Sequence, residues 1–270
     1  MVFYIFWRSR HWFCFDRYYF IILCLLFIVL LLYYFFYKKI YESFEINKIE
    51  IVISRYNEKL NWLNNKLFNY PVIIYNKGVN DDFYKPSQHK IIKLKNIGRT
   101  SHTILYHIIK NYDNLAEITV FLHGSSDHER KYNHVKKLMK LVKKLNKSVF
   151  FSPVYYDSIQ TQLYDFIMDE YASSDKDNYK LNNETTLVKS NIRPFGKWYD
   201  NMFGSNVITH HCAETDLIAV SKKHILQHPI DHYKRLIQET KMGSNPETGH
   251  YFERSWEAVF YPMNDLITFK

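Results

Sequence analysis

Cysteine, glycine and proline are scarce in this chain of 270 residues, which contains three, seven and seven of them respectively. Cys14 and Cys24 lie in or beside an apolar segment, so Cys212 stands alone in the remainder and no intrachain disulfide framework is possible there. The chain also lacks the Gly-x-x-x-x-Gly-Lys and Gly-x-Gly-x-x-Gly loops, the Gly-x-Ser-x-Gly elbow and the His-Glu-x-x-His pair. These absences argue against an ATPase, a dinucleotide oxidoreductase and a serine hydrolase.

The formal net charge is +9, a value compatible with binding to nucleic acid or to an anionic membrane. No nucleic-acid recognition motif accompanies the charge, so nucleic acid is not a predicted partner. Part of the excess lies on an amphipathic helix predicted over Glu129 to Leu145, which either binds phospholipid headgroups or presents a solvated face while covering a sheet. We favour the solvated face. Its lysines are Lys131, Lys136, Lys137, Lys140, Lys143 and Lys144.

The longest apolar run is Tyr18 to Tyr37, twenty residues without a charge. At about 1.5 Å per residue a helix of this length crosses a hydrocarbon core of roughly 30 Å. A cleaved signal peptide is the alternative, but the run is too long and no small-residue cleavage site follows it, since the first alanine is Ala116. The sequence therefore predicts a tail over 1–17, a single transmembrane helix over 18–37 and a tether over 38–48, with the lipid bilayer as a partner.

Basic residues on both sides of this helix compete to set its orientation. Arg8, Arg10 and Arg17 precede it, whereas Lys38 and Lys39 follow it. The balance favours a cytoplasmic N-terminus and a luminal or extracellular domain. On that side of a membrane, including a host membrane, the Asn146-Lys147-Ser148 and Asn183-Glu184-Thr185 triplets are acceptor sites for glycosylation.

Residues 49–270 are predicted to form a single Rossmann-like α/β domain with a mostly parallel sheet. Short β-branched or apolar runs alternate with helical spacing, as expected of parallel strands joined by right-handed crossovers. The predicted strands are 49–54, 72–75, 91–94, 118–122, 148–151 and 217–221, and the predicted helices are 60–68, 101–112, 129–145, 229–240 and 250–260. Residues 157–200 lose apolar periodicity, which predicts a flexible insertion or flap.

The stretch Ile118 to His128 organises the predicted site, because a buried strand runs there into a small polar loop. His123, Asp127 and His128 lie within six residues on this loop, so they are candidate ligands of a divalent cation. The spacing matches no zinc signature, and ordinary loop hydrogen bonds are the alternative.

Further along the chain, carboxylates and histidines offer two more candidate groups. His210, His211, Glu214 and Asp216 precede a strand and could supply a metal ligand or an acceptor-site base. Glu253 lies between Phe252 and Trp256, and apolar surroundings of this kind raise the pKa of a carboxyl towards that of a useful base. The alternatives are an exposed loop for the first group and an ion pair with Arg254 for Glu253.

Several short segments in fixed order resemble the uncharacterised family known as domain of unknown function 3431. The resemblance extends over roughly Ile49 to Phe260. Its N-terminal segments are Ile53-Ser54-Arg55-Tyr56-Asn57-Glu58 with Trp62, Tyr75-Asn76-Lys77-Gly78, Asn96-Ile97-Gly98-Arg99, Tyr112-Asp113-Asn114-Leu115 and Thr119-Val120-Phe121-Leu122-His123-Gly124. Its C-terminal segments are Ala219-Val220-Ser221, Ile225, Pro229, Tyr233 and Phe252-Glu253-Arg254 with Trp256.

That pattern is in turn distantly similar to glycosyltransferases of the type A fold. The similarity implies nucleotide contacts from Arg55, Asn57, Glu58 and Arg99, and a Mn²⁺ or Mg²⁺ ion with the nucleotide-sugar at the end of the central strand. It also implies His123 and Glu253 as catalytic residues, with Glu253 as the base. Where those enzymes carry an Asp-x-Asp metal motif, this chain has His123-Gly124-Ser125-Ser126-Asp127.

The leading hypothesis is a membrane-anchored glycosyltransferase-like enzyme that uses a nucleotide-sugar donor and a glycan acceptor. The first alternative is a membrane-anchored binding or virion-surface protein that keeps the fold without turnover. A metal-dependent hydrolase is the second alternative.

Overall fold

The computed structural model describes residues 19–38, 48–170 and 186–270. The chain divides into two units, Met1–Ile46 and Asn47–Lys270. The described part of the first unit is helix α1, Tyr19–Lys38, whose 20 residues have a mean hydropathy of 2.8 and are long and apolar enough to cross a membrane or to form a signal sequence. The predicted tail, the first residue of the predicted span and nearly all of the tether lie outside the described residues.

The second unit is built on a mixed sheet with the strand order β3-β2-β1-β4-β6-β5-β7. All neighbouring pairs are parallel except those of β6, which runs antiparallel to β4 and β5, so the predicted mostly parallel sheet is confirmed. The strands are β1 Ile49–Arg55, β2 Val72–Asn76, β3 His89–Lys93, β4 Ile118–His123, β5 Val149–Phe151, β6 Ile218–Ser221 and β7 Ile267–Phe269.

Helices cover both faces of this sheet. The helices of the second unit are α2 Arg99–Asn111, α3 Glu129–Leu145, α4 Ile159–Gln162, α5 Phe195–Phe203, α6 Lys222–Ile225, α7 Ile230–Leu236 and α8 Glu247–Val259. Side chains alternate between the faces of a strand, and Val52 packs in one apolar cluster with α2, α5 and α8 whereas its neighbours Ile51 and Ile53 point to the opposite face. All three are buried, which explains why β1 reads as a continuous apolar run.

Local structure differs from the prediction in several places. The helix predicted over 60–68 is two short 3-10 turns, Asn61–Asn64 and Lys66–Phe68, because Asn65 between them is extended. Helix α2 begins at Arg99, two residues before the predicted start, and is capped by Gly98 in a left-handed conformation. Strand β7 was not predicted, since its three residues are too short to show a period.

The flexible insertion predicted over 157–200 needs correction in its described parts. Residues 171–185 lie outside the described ranges, but α4 and α5 are helices on either side of them. Phe195, Trp198 and Tyr199 of α5 are fully buried in the main apolar cluster. The apolar residues of this segment are aromatic and few, so they anchor it without producing a visible helical period.

Glu247 at the start of α8 ties this segment to the domain. Its side chain is fully buried and accepts hydrogen bonds from the backbone of Met168 at 2.9 Å and of Ser190 at 2.8 Å, and from the Tyr251 hydroxyl at 2.8 Å. The guanidinium Nε of Arg193 lies 2.9 Å from the same carboxylate. A buried carboxylate is tolerated when its oxygens are satisfied in this way.

We expect Glu247→Ala to lower the free energy of unfolding by about 3–5 kcal/mol, because the buried donors lose their common acceptor. Glu170→Ala, at an exposed carboxylate of the same segment, is the matched control and should leave stability within about 0.5 kcal/mol of wild type. Chemical denaturation of the full chain in detergent micelles measures both. Equal midpoints for the two variants would contradict this account of the network.

Candidate functional site

The candidate site lies at the carboxyl edge of the parallel strands, where β1 and β4 end side by side. Ser54 pairs with His123 across these strands, and Arg55 pairs with Asn76 of β2. Strand β6 is antiparallel and therefore begins at this edge, two residues after Asp216. Ligands of open α/β sheets bind at this edge, in the crevice beyond the strand ends.

Arg55 organises the corner rather than facing the crevice. Its side chain is completely buried, its Nη1 donates to Asn76 Oδ1 and to the carbonyl of Asn80, both at 2.7 Å, and its Nε donates to the carbonyl of Glu58 at 2.8 Å. The guanidinium also lies 3.9 Å from the ring centre of Phe83. Nε and Nη1 of Arg55 thus hold the loops of this corner together, whereas its buried Nη2 has no hydrogen-bond partner in the described part of the chain. The predicted nucleotide contact through Arg55 stays a prediction.

Glu58 closes the loop that follows β1. Its Oε2 accepts hydrogen bonds from the backbone N–H groups of Tyr56 at 2.8 Å and of Asn57 at 3.0 Å. Gly124 lies against the same carboxylate, since a Cβ added there would stand 2.4 Å from Oε2. The indole of Trp62 donates to the Gly124 carbonyl at 2.9 Å. The loops after β1 and β4 are thus held together, and a side chain at position 124 would displace the Glu58 carboxylate.

His123 joins three segments of the site. Its Nε2 contacts the carbonyl of Thr215 and must donate to it, so Nδ1 accepts from the Thr100 hydroxyl at 3.1 Å. Burial lowers the pKa of His123 to about 3, which keeps the imidazole neutral at ordinary pH. Both ring nitrogens are committed to the protein, so the arrangement fits a structural bridge better than the predicted roles of catalytic residue and metal ligand.

Asp216 and Glu253 form a carboxyl pair at the same place. Burial raises the pKa of Asp216 well above its ordinary value, and the charge of Glu253 raises it further. Burial also raises the pKa of Glu253, but His250, whose Nδ1 is 3.8 Å from Oε2, and Arg254 outweigh it, and the net pKa is lowered. The expectation of a raised pKa at Glu253 was therefore wrong. Asp216 also accepts a hydrogen bond from the Trp256 indole at 2.6 Å.

Two cations, Arg99 and Lys131, face these carboxyl groups. The charges of both act on Asp216 and on His123. Burial lowers the pKa of Lys131, whereas the charges of Glu253, Asp216 and Glu58 raise it, so all three carboxyl groups act on its ammonium. Charged groups from the loop after β1, the turn before β6 and helices α2, α3 and α8 therefore lie near the end of β4.

The position of Arg99 depends on the start of α2. Gly98 has a left-handed φ of 59°, and a Cβ there would lie 2.4 Å from the Thr240 carbonyl, so no other residue fits. The buried ammonium of Lys77 donates to the carbonyl of Ile97 at 2.7 Å and to that of Arg99. Burial lowers the pKa of Lys77 to about 7. Lys77, which follows β2, thus holds the turn that carries Arg99.

The three predicted metal ligands do not converge. The His123 ring turns inward, whereas Asp127 and His128 are exposed, and His128 serves as the N-cap of α3. In the ranges that the structure describes, no three His, Cys, Asp or Glu side chains group so that they could hold a metal ion. The loop is turned, as predicted, but its donors point to different sides.

The second predicted cluster is divided. Asp216 joins the site, but the backbone N–H groups of His210 and His211 donate to Glu257 of α8 at 2.8 and 2.7 Å. The imidazole of His210 stacks on Tyr155, with ring centres 5.2 Å apart. Glu214 is the first residue of a 3-10 turn, Glu214–Asp216.

Lys131 was missed as a site residue because lysine on a basic helix suggests a solvated face. Its spacing contains the correct signal, since Lys131 precedes the buried Val135, Leu138 and Val142 by four, seven and eleven residues and so shares their stripe. Thr100 contacts His123 through its side-chain hydroxyl, and Thr215 contacts it through its backbone carbonyl. No sequence pattern predicts either contact.

Residues 51–267 match the family described as "Protein of unknown function (DUF3431)". The match covers most of the chain, which therefore belongs to this family, as its segments predict. No curated protein matches the chain.

The raised pKa of Asp216 predicts a specific pH dependence. Ionisation of Asp216 opposes the folded state, so wild-type stability is fully present below the ordinary carboxyl pKa and falls as pH rises through the raised pKa. Asp216→Asn keeps an acceptor for Trp256 and cannot ionise. We expect the stability of Asp216→Asn relative to wild type to increase with pH, by about 1.4 kcal/mol for each pH unit by which the pKa is raised.

Denaturation of the full chain in micelles from about pH 4 to about pH 8 measures this difference. Asp113→Asn, at an exposed carboxyl, is the control and should give a constant difference. Parallel curves for Asp216→Asn and wild type would show that Asp216 is ionised throughout.

Proposed function

We propose that this protein is a membrane-anchored glycosyltransferase-like enzyme that transfers a sugar from a nucleotide-sugar donor to a hydroxyl acceptor. The convergence of Glu253, Asp216, Arg99 and Lys131 at the carboxyl edge of the sheet carries the proposal. The diphosphate of such a donor requires cations, and the acceptor hydroxyl requires a carboxylate base. Arg99 and Lys131 provide the cations, and Glu253 provides the carboxylate, at the same edge of the sheet. The mostly parallel sheet is compatible with the type A glycosyltransferase fold.

In an inverting transfer, Glu253 is the base. Its carboxylate is ionised and 28% exposed, so it can accept the proton of the acceptor hydroxyl. The acceptor oxygen forms a bond to the anomeric carbon as the bond from that carbon to the diphosphate oxygen breaks. The nucleoside diphosphate leaves with the electron pair of that bond. Burial raises the pKa of Asp216, which favours its protonated form and so reduces the negative charge near the leaving group.

Glu58 and Asn57 occupy the loop that the nucleotide is proposed to approach. The Glu58 side chain accepts hydrogen bonds from two backbone N–H groups, so it shapes the loop, while Asn57 remains partly exposed.

Helix α1 is proposed as the membrane anchor, with the domain on the luminal or extracellular side. Asn146 is exposed at the end of α3, as a glycosylated residue must be, whereas Asn183 lies outside the described residues.

We expect Glu253→Gln to reduce the rate at which nucleoside diphosphate is released from the sugar donor by about 10²- to 10⁴-fold. Glutamine has nearly the shape of glutamate but cannot accept the proton of the acceptor hydroxyl. A panel of nucleotide-sugars with wild-type full chain, assayed both with Mn²⁺ and with a chelator, provides the measurement. Glu117→Gln changes an exposed carboxylate at the opposite edge of β4 and should retain full activity. Background rates for all three proteins under every condition would refute the enzymatic proposal.

The alternative is a non-catalytic, membrane-anchored binding protein that keeps the fold, and the departure from an Asp-x-Asp motif favours it. A thermal-shift panel of nucleotide-sugars separates the possibilities, because any ligand of the folded state raises the melting temperature by mass action. An enzyme should show both a shift and turnover. A shift without turnover would support the binding protein.

A further inference from the structure

The leaving diphosphate of a nucleotide-sugar must be neutralised by a cation. The similarity to type A glycosyltransferases implies a divalent metal ion at the end of β4. Such an ion needs converging oxygen or imidazole donors. The chain can meet the same requirement with a lysine or an arginine, which clamp phosphoryl oxygens directly.

The residues at the end of β4 do not fit a metal ion. Both nitrogens of His123 are hydrogen-bonded to Thr100 and Thr215, so the ring has no lone pair to offer without breaking the bridge. Asp127 and His128 are exposed and do not join it. The described ranges contain no alternative group of three ligands.

Two basic side chains lie near this place instead. Lys131 is the third residue of α3, which begins immediately after the loop of β4 and directs the positive end of its dipole to the same edge. Arg99 is the first residue of α2, and Lys77 anchors its carbonyl. Within the described ranges, Lys131 makes no ion pair shorter than 4.0 Å, although the charges of three carboxyl groups act on it. Its ammonium is therefore placed to meet an incoming anion.

We infer that Lys131, with Arg99 beside it, takes the place of a divalent metal ion and binds the diphosphate of the donor directly. This inference rests on the proposed function and specifies its substrate-binding chemistry. It makes donor binding independent of metal ions.

The test is a calorimetric titration of the full chain in micelles with UDP, GDP, CDP and ADP, in a chelator and again with Mn²⁺. We expect one of these nucleotides to bind equally well under both conditions. Lys131→Met should weaken its binding by about 10- to 100-fold, since a hydrogen bond to a charged group is lost. Lys131→Arg should restore most of the affinity, which also shows that position 131 tolerates substitution.

Lys140→Met removes an exposed lysine of the same helix and should leave the affinity unchanged. Lys131→Met should weaken binding of the nucleoside diphosphate more than binding of the corresponding monophosphate. The reason is that Lys131 is proposed to bind the diphosphate that leaves in the reaction. Binding that requires Mn²⁺ and is indifferent to Lys131→Met would overturn this inference while leaving the proposed function intact. Failure of every nucleotide to bind wild type under either condition would overturn both.

Discussion

The two hydrogen bonds of the buried His123 imidazole are the constraint on which the site depends. Through them the tip of β4 is joined to the first turn of α2 and to the turn before β6, three segments far apart in sequence. The bridge requires a neutral ring that donates through one nitrogen and accepts through the other, and burial ensures that state. Arg99 and Asp216, each next to one of its partners, are thereby held against the same crevice.

Strand positions could be predicted because a doubly covered sheet requires continuous apolar runs, as in β1 and β4. Helix α3 was predicted with its observed bounds because its stripe is regular. The site was predicted only in part. The end of β4, Asp216 and Glu253 are recognisable as polar groups beside apolar runs, but the sign of the Glu253 pKa shift depends on His250 and Arg254, whose distances only the fold determines.

The charges of the site are arranged so that a carboxylate base and an anionic ligand can coexist. Two ionised carboxylates side by side would repel a diphosphate, and the low dielectric of a buried position strengthens that repulsion. Burial and the charge of Glu253 favour the protonated form of the deeper carboxyl, Asp216, which reduces that repulsion. Lys131 and Arg99 offset the negative charges of the remaining carboxylates, which reduces the repulsion of an anionic ligand further.

The backbone at this point is strained, and the strain has a structural reason. Thr215 and Asp216 have left-handed φ angles of 61° and 50°, a conformation that is unfavourable by about 1–2 kcal/mol for each such residue. The turn reverses the chain so that the Thr215 carbonyl reaches His123 while the Asp216 carboxyl reaches Trp256. A relaxed turn would place one of these groups away from the crevice. Because strain of this kind persists only where surrounding contacts enforce it, the two hydrogen bonds and the turn hold each other in place.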